Sequence, residues 1–250
     1  MKVYIINLCR RKGRRAYMEA QVKNLGLLVT FVEGVDGRTL PREIIKRSVN
    51  AFRWWCVTGI TARAGEVGCG LSHQSIYSEI IREGQSCACI LEDDIELNKE
   101  FLSVLAATED FIAQQGQSPV VVLMTPHPNR GAWSRRTAKI EFEEKQWAYS
   151  AGGYVVNKEA AIRLLRINVP MNGPIDNWGR WVRLCGLKLF DCWPIVCAQA
   201  RYGSAPAMPW LESDTIDSDT VFVKDCPLLQ KVMHKCLRII GIICDRILPL

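Results

Sequence analysis

Short apolar runs separated by charged or glycine-containing turns recur along most of the chain and read as buried strands alternating with amphipathic helices. Val3-Tyr4-Ile5-Ile6-Asn7-Leu8 predicts a strand covered on both faces. Residues 14 to 25 carry Tyr17, Met18, Gln21, Val22 and Leu25 at helical spacing, with Gly26 as the stop. Leu27 to Val32 predicts a second strand, and the bulky stretch from Leu40 to Thr61 an insertion. The glycines in Gly65-Glu66-Val67-Gly68-Cys69-Gly70-Leu71-Ser72-His73 predict a tightly approaching backbone. Ser72 then caps a helix running through Ile76, Tyr77, Ile80 and Ile81. Cys87 to Leu91 and Val120 to Met124 are further apolar strands, and residues 131 to 147 a ribbon or flap containing Trp133 and Trp147. Tyr149 to Asn157 reads as a small-residue turn and strand, followed by a helix over Lys158 to Leu165 and another at 177 to 184. Leu187 to Phe190 and Ile195 to Gln199 are the last strands, joined at Pro194. Strand, basic loop, helix, strand at the start implies an α/β fold with a mostly parallel central sheet flanked by helices.

Composition narrows this picture. With 250 residues and 48% hydrophobic content, the chain accommodates one large catalytic domain, placed at 1–225, and a tail, 226–250. The net charge of +6 favours an anionic partner. The basic residues divide between the first loop and the tail, an arrangement that argues against nucleic acid. Eleven cysteines, an odd number without a C-x-x-C pair, read as reduced core thiols of a cytosolic protein. Val3 to Cys9 is too short for a signal-peptide core, and no uninterrupted apolar run is long enough to span a bilayer.

The candidate chemistry is concentrated at Glu92-Asp93-Asp94, where the apolar run ends in three consecutive carboxylates. Such a cluster at a strand's carboxyl end suits a hard divalent cation, although an exposed acidic turn has the same composition. After the first strand, Arg10, Arg11, Lys12, Arg14 and Arg15 surround Gly13, where an α/β sheet receives phosphates. Ile6, Asn7 and Leu8 at the strand end, with Arg11 and Arg15, are the candidate nucleotide contacts. Asp36 is either a ribose or base acceptor or a turn residue, and His73 either packs the helix start or touches a diphosphate. No G-x-G-x-x-G fingerprint accompanies them, which weakens a nicotinamide or flavin reading.

Taken in order, Tyr4-Ile-Ile-Asn-Leu, Arg14-Arg15, Val35-Asp36-Gly37, Gly65 through His73 and Ile90-Leu-Glu-Asp-Asp94 resemble glycosyltransferase family 25. The family includes lipooligosaccharide galactosyl- and glucosyltransferases and collagen galactosyltransferases. The resemblance runs to roughly residue 200. It implies a GT-A fold, a UDP-galactose or UDP-glucose donor, Mn²⁺ or Mg²⁺, and inversion at the anomeric carbon. It assigns metal and diphosphate binding to Asp94, with Asp93 as a further ligand and Glu92 in support, and the donor pocket to Ser72 and His73. Gly152 and Gly153 are expected to let backbone approach the donor sugar. Asp176, at the family's Pro-x-Asp position, is either the base that deprotonates the acceptor hydroxyl or a helix cap. The 40–61 insertion closes over the nucleotide or shapes the acceptor cleft, and His127, Gln199 and Arg201 are subsidiary candidates.

From Leu228 to Leu248, Val232, Cys236, Ile239, Ile240, Ile243 and Ile247 form an apolar face opposite Lys231, Lys235, Arg238 and Arg246. This basic amphipathic helix suits either an anionic membrane interface or a protein surface. The leading expectation is a hexosyltransferase that uses an oligosaccharide or lipid-linked saccharide acceptor at the inner face of the bacterial cytoplasmic membrane. The alternatives are a metal-dependent nucleotidyl- or phosphotransferase and a catalytically silent binding protein.

Overall fold

A computed structural model describes residues 1–125 and 139–200. The first strand, β1 (Lys2–Asn7), leads into α1 (Lys12–Leu25), β2 (Thr30–Glu33), two short helices α2 (Arg42–Ser48) and α3 (Ala51–Thr58), and the long α4 (Ala64–Arg82). There follow β3 (Cys87–Glu92), β4 (Ile95–Leu97), α5 (Phe101–Ala113), β5 (Val120–Leu123) and β6 (Glu141–Lys145). Completing the described chain are β7 (Gly153–Asn157), α6 (Lys158–Asn168), α7 (Trp178–Cys185), β8 (Lys188–Trp193) and β9 (Cys197–Gln199).

Seven strands form one sheet in the order β2-β1-β3-β7-β5-β8-β6, while β4 and β9 pair separately. Only β7 and β6 oppose the other five, so the sheet is mostly parallel, as expected. Side chains alternate between two cores, as a period of two requires. Tyr4, Ala88, Ile90, Val121, Leu123, Tyr154 and Val156 meet Ile76, Tyr77 and Ile80 of α4 and Leu164 of α6 on one face. Val3, Ile5, Cys87, Cys89, Leu91, Val120, Val122 and Val155 meet Met18 and Val22 of α1 and Phe101 and Val104 of α5 on the other. Helices on both faces explain why these strands are apolar throughout. Cys87, Cys89, Cys192 and Cys197 are buried free thiols within the second core.

Three elements differ from the sequence expectations. The second strand starts at Thr30, because Leu27 still belongs to the helix stop: Gly26 is left-handed at φ 65°, its N–H reaches Lys23 O, and Leu27 N–H reaches Val22 O. The 40–61 stretch folds as α2 and α3, where Ile45 and Trp54 share a small core with Val67 and Met171. The glycine-rich stretch is helix, not loop, and α4 begins at Ala64. Glu66 accepts from the Arg63 N–H at this start. Ser72 lies well inside α4 and caps nothing; it donates to Gly68 O and accepts from Val35 N–H.

Those glycines serve proximity. A Cβ on Gly68 would stand 2.3 Å from Val35 O and 2.6 Å from Gly37 N, and one on Gly37 would stand 1.7 Å from Ala64 O. The Val35-Asp36-Gly37 turn is therefore pressed directly onto the first turns of α4. Gly65 has nothing within 4 Å of its added Cβ. Gly68→Ala should lower unfolding stability by about 1–3 kcal/mol because backbone must separate. Gly65→Ala should be neutral or raise it by about 0.5 kcal/mol. Denaturant unfolding of both variants checks this; equal effects would contradict the close approach.

Candidate functional site

The carboxyl ends of β1, β2, β3 and β5 lie on one edge of the sheet, together with the start of the opposed β7. Here Asn7, the acids after β3 and the Gly152-Gly153 turn converge. The turn is tied in by Glu92 N–H donating to Gly152 O and Met124 N–H to Gly153 O.

The three acids have separate environments. Asp93 is buried, and both its oxygens are engaged: Asn7 Nδ2 donates to Oδ2 at 2.7 Å and Arg14 Nη1 to Oδ1 at 2.8 Å. Expected as a cation ligand, it is held instead as an anchor. Asp94 is partly exposed, with Oδ2 3.7 Å from Arg14 Nη1, and its backbone oxygen accepts from Ala200 N–H. Glu92 turns toward α4, with Oε1 3.9 Å from Cys69 Sγ and 3.6 Å from His73 Nε2. His73 is fully buried, and its Nδ1 shares a 2.7 Å hydrogen bond with Tyr154 Oη, which pairs in turn with Tyr77 Oη at 2.6 Å.

Arg14, not Arg15, is the α1 side chain that reaches the acids. Arg15 pairs with Glu19 at 2.7 Å, and its guanidinium lies 3.7 Å from the centre of the Phe31 ring. The sequence does carry a signal for this. Arg14 is in phase with Met18 and Val22, four and eight residues on, and all three are buried. Arg11 is at the N-terminal boundary of α1, where its N–H bonds Leu8 O and its own carbonyl accepts from Asn7 Nδ2. Ile6 is a core residue paired with Val32 and Glu92. Asp36 is gripped by Arg10 and Arg38. Burial would raise its carboxyl, but the two guanidinium groups hold it below the usual range.

A Cβ on Gly152 would stand 2.8 Å from Ile95 Cδ1 and one on Gly153 3.2 Å from Leu91 Cδ2, so the absence of side chains here already serves protein packing.

Asp176 precedes α7, and its Oδ2 accepts from Ser150 N–H at 3.3 Å. Burial pushes its carboxyl above the usual value and Glu92 adds to this, against the Ser150 N–H and His73. Ser150 has φ 107°, a strained value for a residue with a Cβ. It is fixed by Thr125 Oγ1 at 3.2 Å, by Trp178 Nε1 donating to its carbonyl at 2.8 Å, and by Asp176. Burial also pushes the Cys69 thiol far up, and Glu92, Asp176 and Asp94 push it the same way. Of the three acids, Glu92 is in direct reach of the thiol, its Oε1 3.9 Å from Sγ. Ser150 and Tyr154 carried no site role in the sequence, and Cys69 entered only as part of the Gly65-to-His73 donor-pocket element, although Cys69 and His73 stand four apart, as neighbours on one helix face.

His127, Trp133, Arg201 and the 226–250 tail lie outside the described residues. Gln199 is in β9, and Trp147 and Tyr149 are exposed with ring centres 6.3 Å apart. Among the described residues no helix is long and apolar enough to cross a membrane.

Residues 1–178 match the family described as "Glycosyltransferase family 25 (LPS biosynthesis protein)". Procollagen galactosyltransferase 2 of Homo sapiens is 25% identical over 88% of this chain and 38% of its own length. Probable inactive glycosyltransferase 25 family member 3 of Rattus norvegicus is 35% identical over 46% of this chain and 21% of its own. A glycosyltransferase 25 family member of Anopheles gambiae is 27% identical over 66% and 28%. The chain thus spans well under half the length of these relatives. The acids after β3, the Arg14 anchor, the Gly37–Gly68 contact and Asp176 all fall within the matched span, in a mixed α/β fold of GT-A type: the chain belongs to glycosyltransferase family 25.

Proposed function

We propose that the chain transfers a hexose, galactose or glucose, from a UDP-sugar to a saccharide hydroxyl with inversion at the anomeric carbon. The observation that carries the reading is the Asp94 carboxylate, partly exposed at the carboxyl edge of β3 beside the buried Arg14–Asp93 pair and within the span the family matches.

The donor set suits a hard divalent cation. Mg²⁺ or Mn²⁺ is ordinarily held by one or two carboxylates, with the remaining positions taken by water and substrate phosphates. Asp94 is partly exposed at the sheet edge and supplies one such carboxylate. A bound cation would neutralise the charge that develops on departing UDP. The start of α1, with its amide groups, Arg11 and Lys12, supports the diphosphate side, because helix amino ends favour anions. Arg14 sets the position of Asp94 by fixing Asp93 and adds positive charge beneath it.

Asp176 is the proposed base. As the acceptor oxygen bonds the anomeric carbon and the bond to UDP breaks, the hydroxyl proton passes to the Asp176 carboxylate. A carboxyl raised above its ordinary value holds that proton better than an exposed aspartate. The Ser150 N–H holds the side chain by its Oδ2. The exposed Trp147 and Tyr149 flank Ser150 in sequence and suit the apolar face of an acceptor sugar. The family description and the galactosyltransferase relative support a hexose donor and a lipooligosaccharide-type or other saccharide acceptor. Contact with a membrane surface is proposed for the tail.

UDP release from UDP-galactose and UDP-glucose, with Mn²⁺ and after chelation, tests the reading. UDP and a transferred or free hexose are expected only with metal; UMP and hexose 1-phosphate would instead indicate phosphotransfer, and undiminished turnover after exhaustive chelation would contradict the metal role. Asp94→Asn should lower UDP release about 100-fold or more while leaving circular dichroism and the unfolding midpoint unchanged. Asp176 works only when deprotonated, so activity should fall as pH drops through its raised pKa. The acidic limb of kcat/KM should therefore lie above the ordinary aspartate range and vanish from the residual activity of Asp176→Asn. A limb at the ordinary position, or one persisting in the variant, would remove Asp176 from this role.

A further inference from the structure

Cys69, His73 and Glu92 form a cluster with no part in the proposed transfer. One ligand atom from each lies within 4.8 Å of the other two. Cys69 and His73 are successive-turn neighbours on α4, and Glu92 comes across from the end of β3. The cluster contains a buried nitrogen with unspent bonding capacity: His73 is 0% exposed, and its Nε2 makes no hydrogen bond. Its other nitrogen, Nδ1, is occupied by Tyr154 Oη at 2.7 Å, and Tyr77 Oη supports Tyr154 at 2.6 Å. A hydroxyl partner on one imidazole nitrogen orients the ring so that the other faces a cation, as outer-shell partners do in metal sites.

Two of the three separations are close to the edges of a tetrahedral zinc site. Zinc bonds of about 2.0 Å to nitrogen and oxygen and about 2.3 Å to sulfur require tetrahedral edges of about 3.3 Å for N to O and about 3.6 Å for S to O. Here Nε2 to Oε1 is 3.6 Å and Sγ to Oε1 is 3.9 Å. These two edges need to close by only about 0.3 Å, and the sulfur-to-nitrogen edge lies within 4.8 Å. A thiol with an imidazole and a single carboxylate is a softer donor set than the carboxylate, water and phosphate that hold Mn²⁺ or Mg²⁺.

We propose that Cys69, His73 and Glu92 bind a thiophilic divalent cation, Zn²⁺ in kind, through three protein ligands with a fourth position left for water or another ligand. On binding, the Cys69 S–H bond breaks as the sulfur–metal bond forms, the proton leaves to solvent, and nothing is oxidised or reduced. His73 binds as the tautomer that keeps its proton on Nδ1, donating to Tyr154. The site is distinct from the Asp94 carboxylate, and its existence does not depend on sugar transfer.

Cobalt reports on this site without any activity assay, because thiolate ligation gives a sulfur-to-cobalt charge-transfer band and four-coordination gives intense visible bands. Titrating Co²⁺ into the reduced full chain should produce both and saturate one Cys69-dependent equivalent, which Zn²⁺ then displaces. Cys69→Ala should lose that charge-transfer component, whereas a variant of the exposed Cys9, Cys9→Ala, should keep it. Glu92→Gln, close in shape, should weaken Co²⁺ binding at least about 10-fold. It carries the test if Cys69→Ala does not fold. A wild-type chain without the band, an unchanged spectrum in Cys69→Ala, or unchanged affinity in Glu92→Gln would each overturn the proposal and leave His73 and Glu92 as an ion pair only.

Discussion

The site depends on a buried ion pair between a helix and the end of a strand. Arg14 of α1 and Asp93 after β3 are both about nine-tenths buried or more, and Asn7 from the end of β1 takes the second Asp93 oxygen. Seven residues further along α1, Gln21 accepts from Leu97 N–H and donates to Ile95 O, gripping β4. Two turns of one helix thus hold the chain before and after Asp94. A pair this buried adds little stability over well-packed apolar residues, yet removing one partner typically costs about 3–5 kcal/mol because the other charge is left stranded. Its contribution here is positional. With Asp93 fixed inward, its neighbours Glu92 and Asp94 are set toward the cleft.

Much of the framework was legible because burial leaves a strong imprint. β1, β3, β5 and β7 are apolar on both faces, and Gly26 marks the end of α1 by the conformation only glycine adopts cheaply. The start of α4 was not legible. Gly65, Gly68 and Gly70 lower helix propensity and resemble a loop, but Gly68 is small because Val35 and Gly37 press on it, and Gly70 because Met171 does. Tertiary proximity wins over propensity there, and proximity between distant segments leaves no local pattern. The strand at β9 was readable, but β4 and its pairing with β9 were not, since a three-residue strand is defined by its partner.

In the site, the acid cluster itself was legible, and its division of labour was not. Three adjacent carboxylates look alike in sequence, but the partners that separate them come from α1, α4 and the turn before β7, all distant along the chain. Arg15 looked equivalent to Arg14 until the helix phase placed one inward beside Met18 and the other against Glu19. Asp176 likewise takes its character from Ser150, a strained residue whose conformation only the folded chain imposes.

The arrangement leaves an electrostatic demand. Glu92, Asp176 and Asp94 all push the Cys69 thiol up, and burial with Glu92 raises the Asp176 carboxyl. Arg14 offsets part of this charge, bonding Asp93 at 2.8 Å and standing 3.7 Å from Asp94. Further positive charge, from the start of α1 or from a bound cation, would offset the rest. The proposed hard cation at Asp94 and the proposed thiophilic one at Cys69, His73 and Glu92 would meet that demand in different ways. Carboxylate oxygens favour the first, and the buried His73 nitrogen with its neighbouring sulfur favours the second.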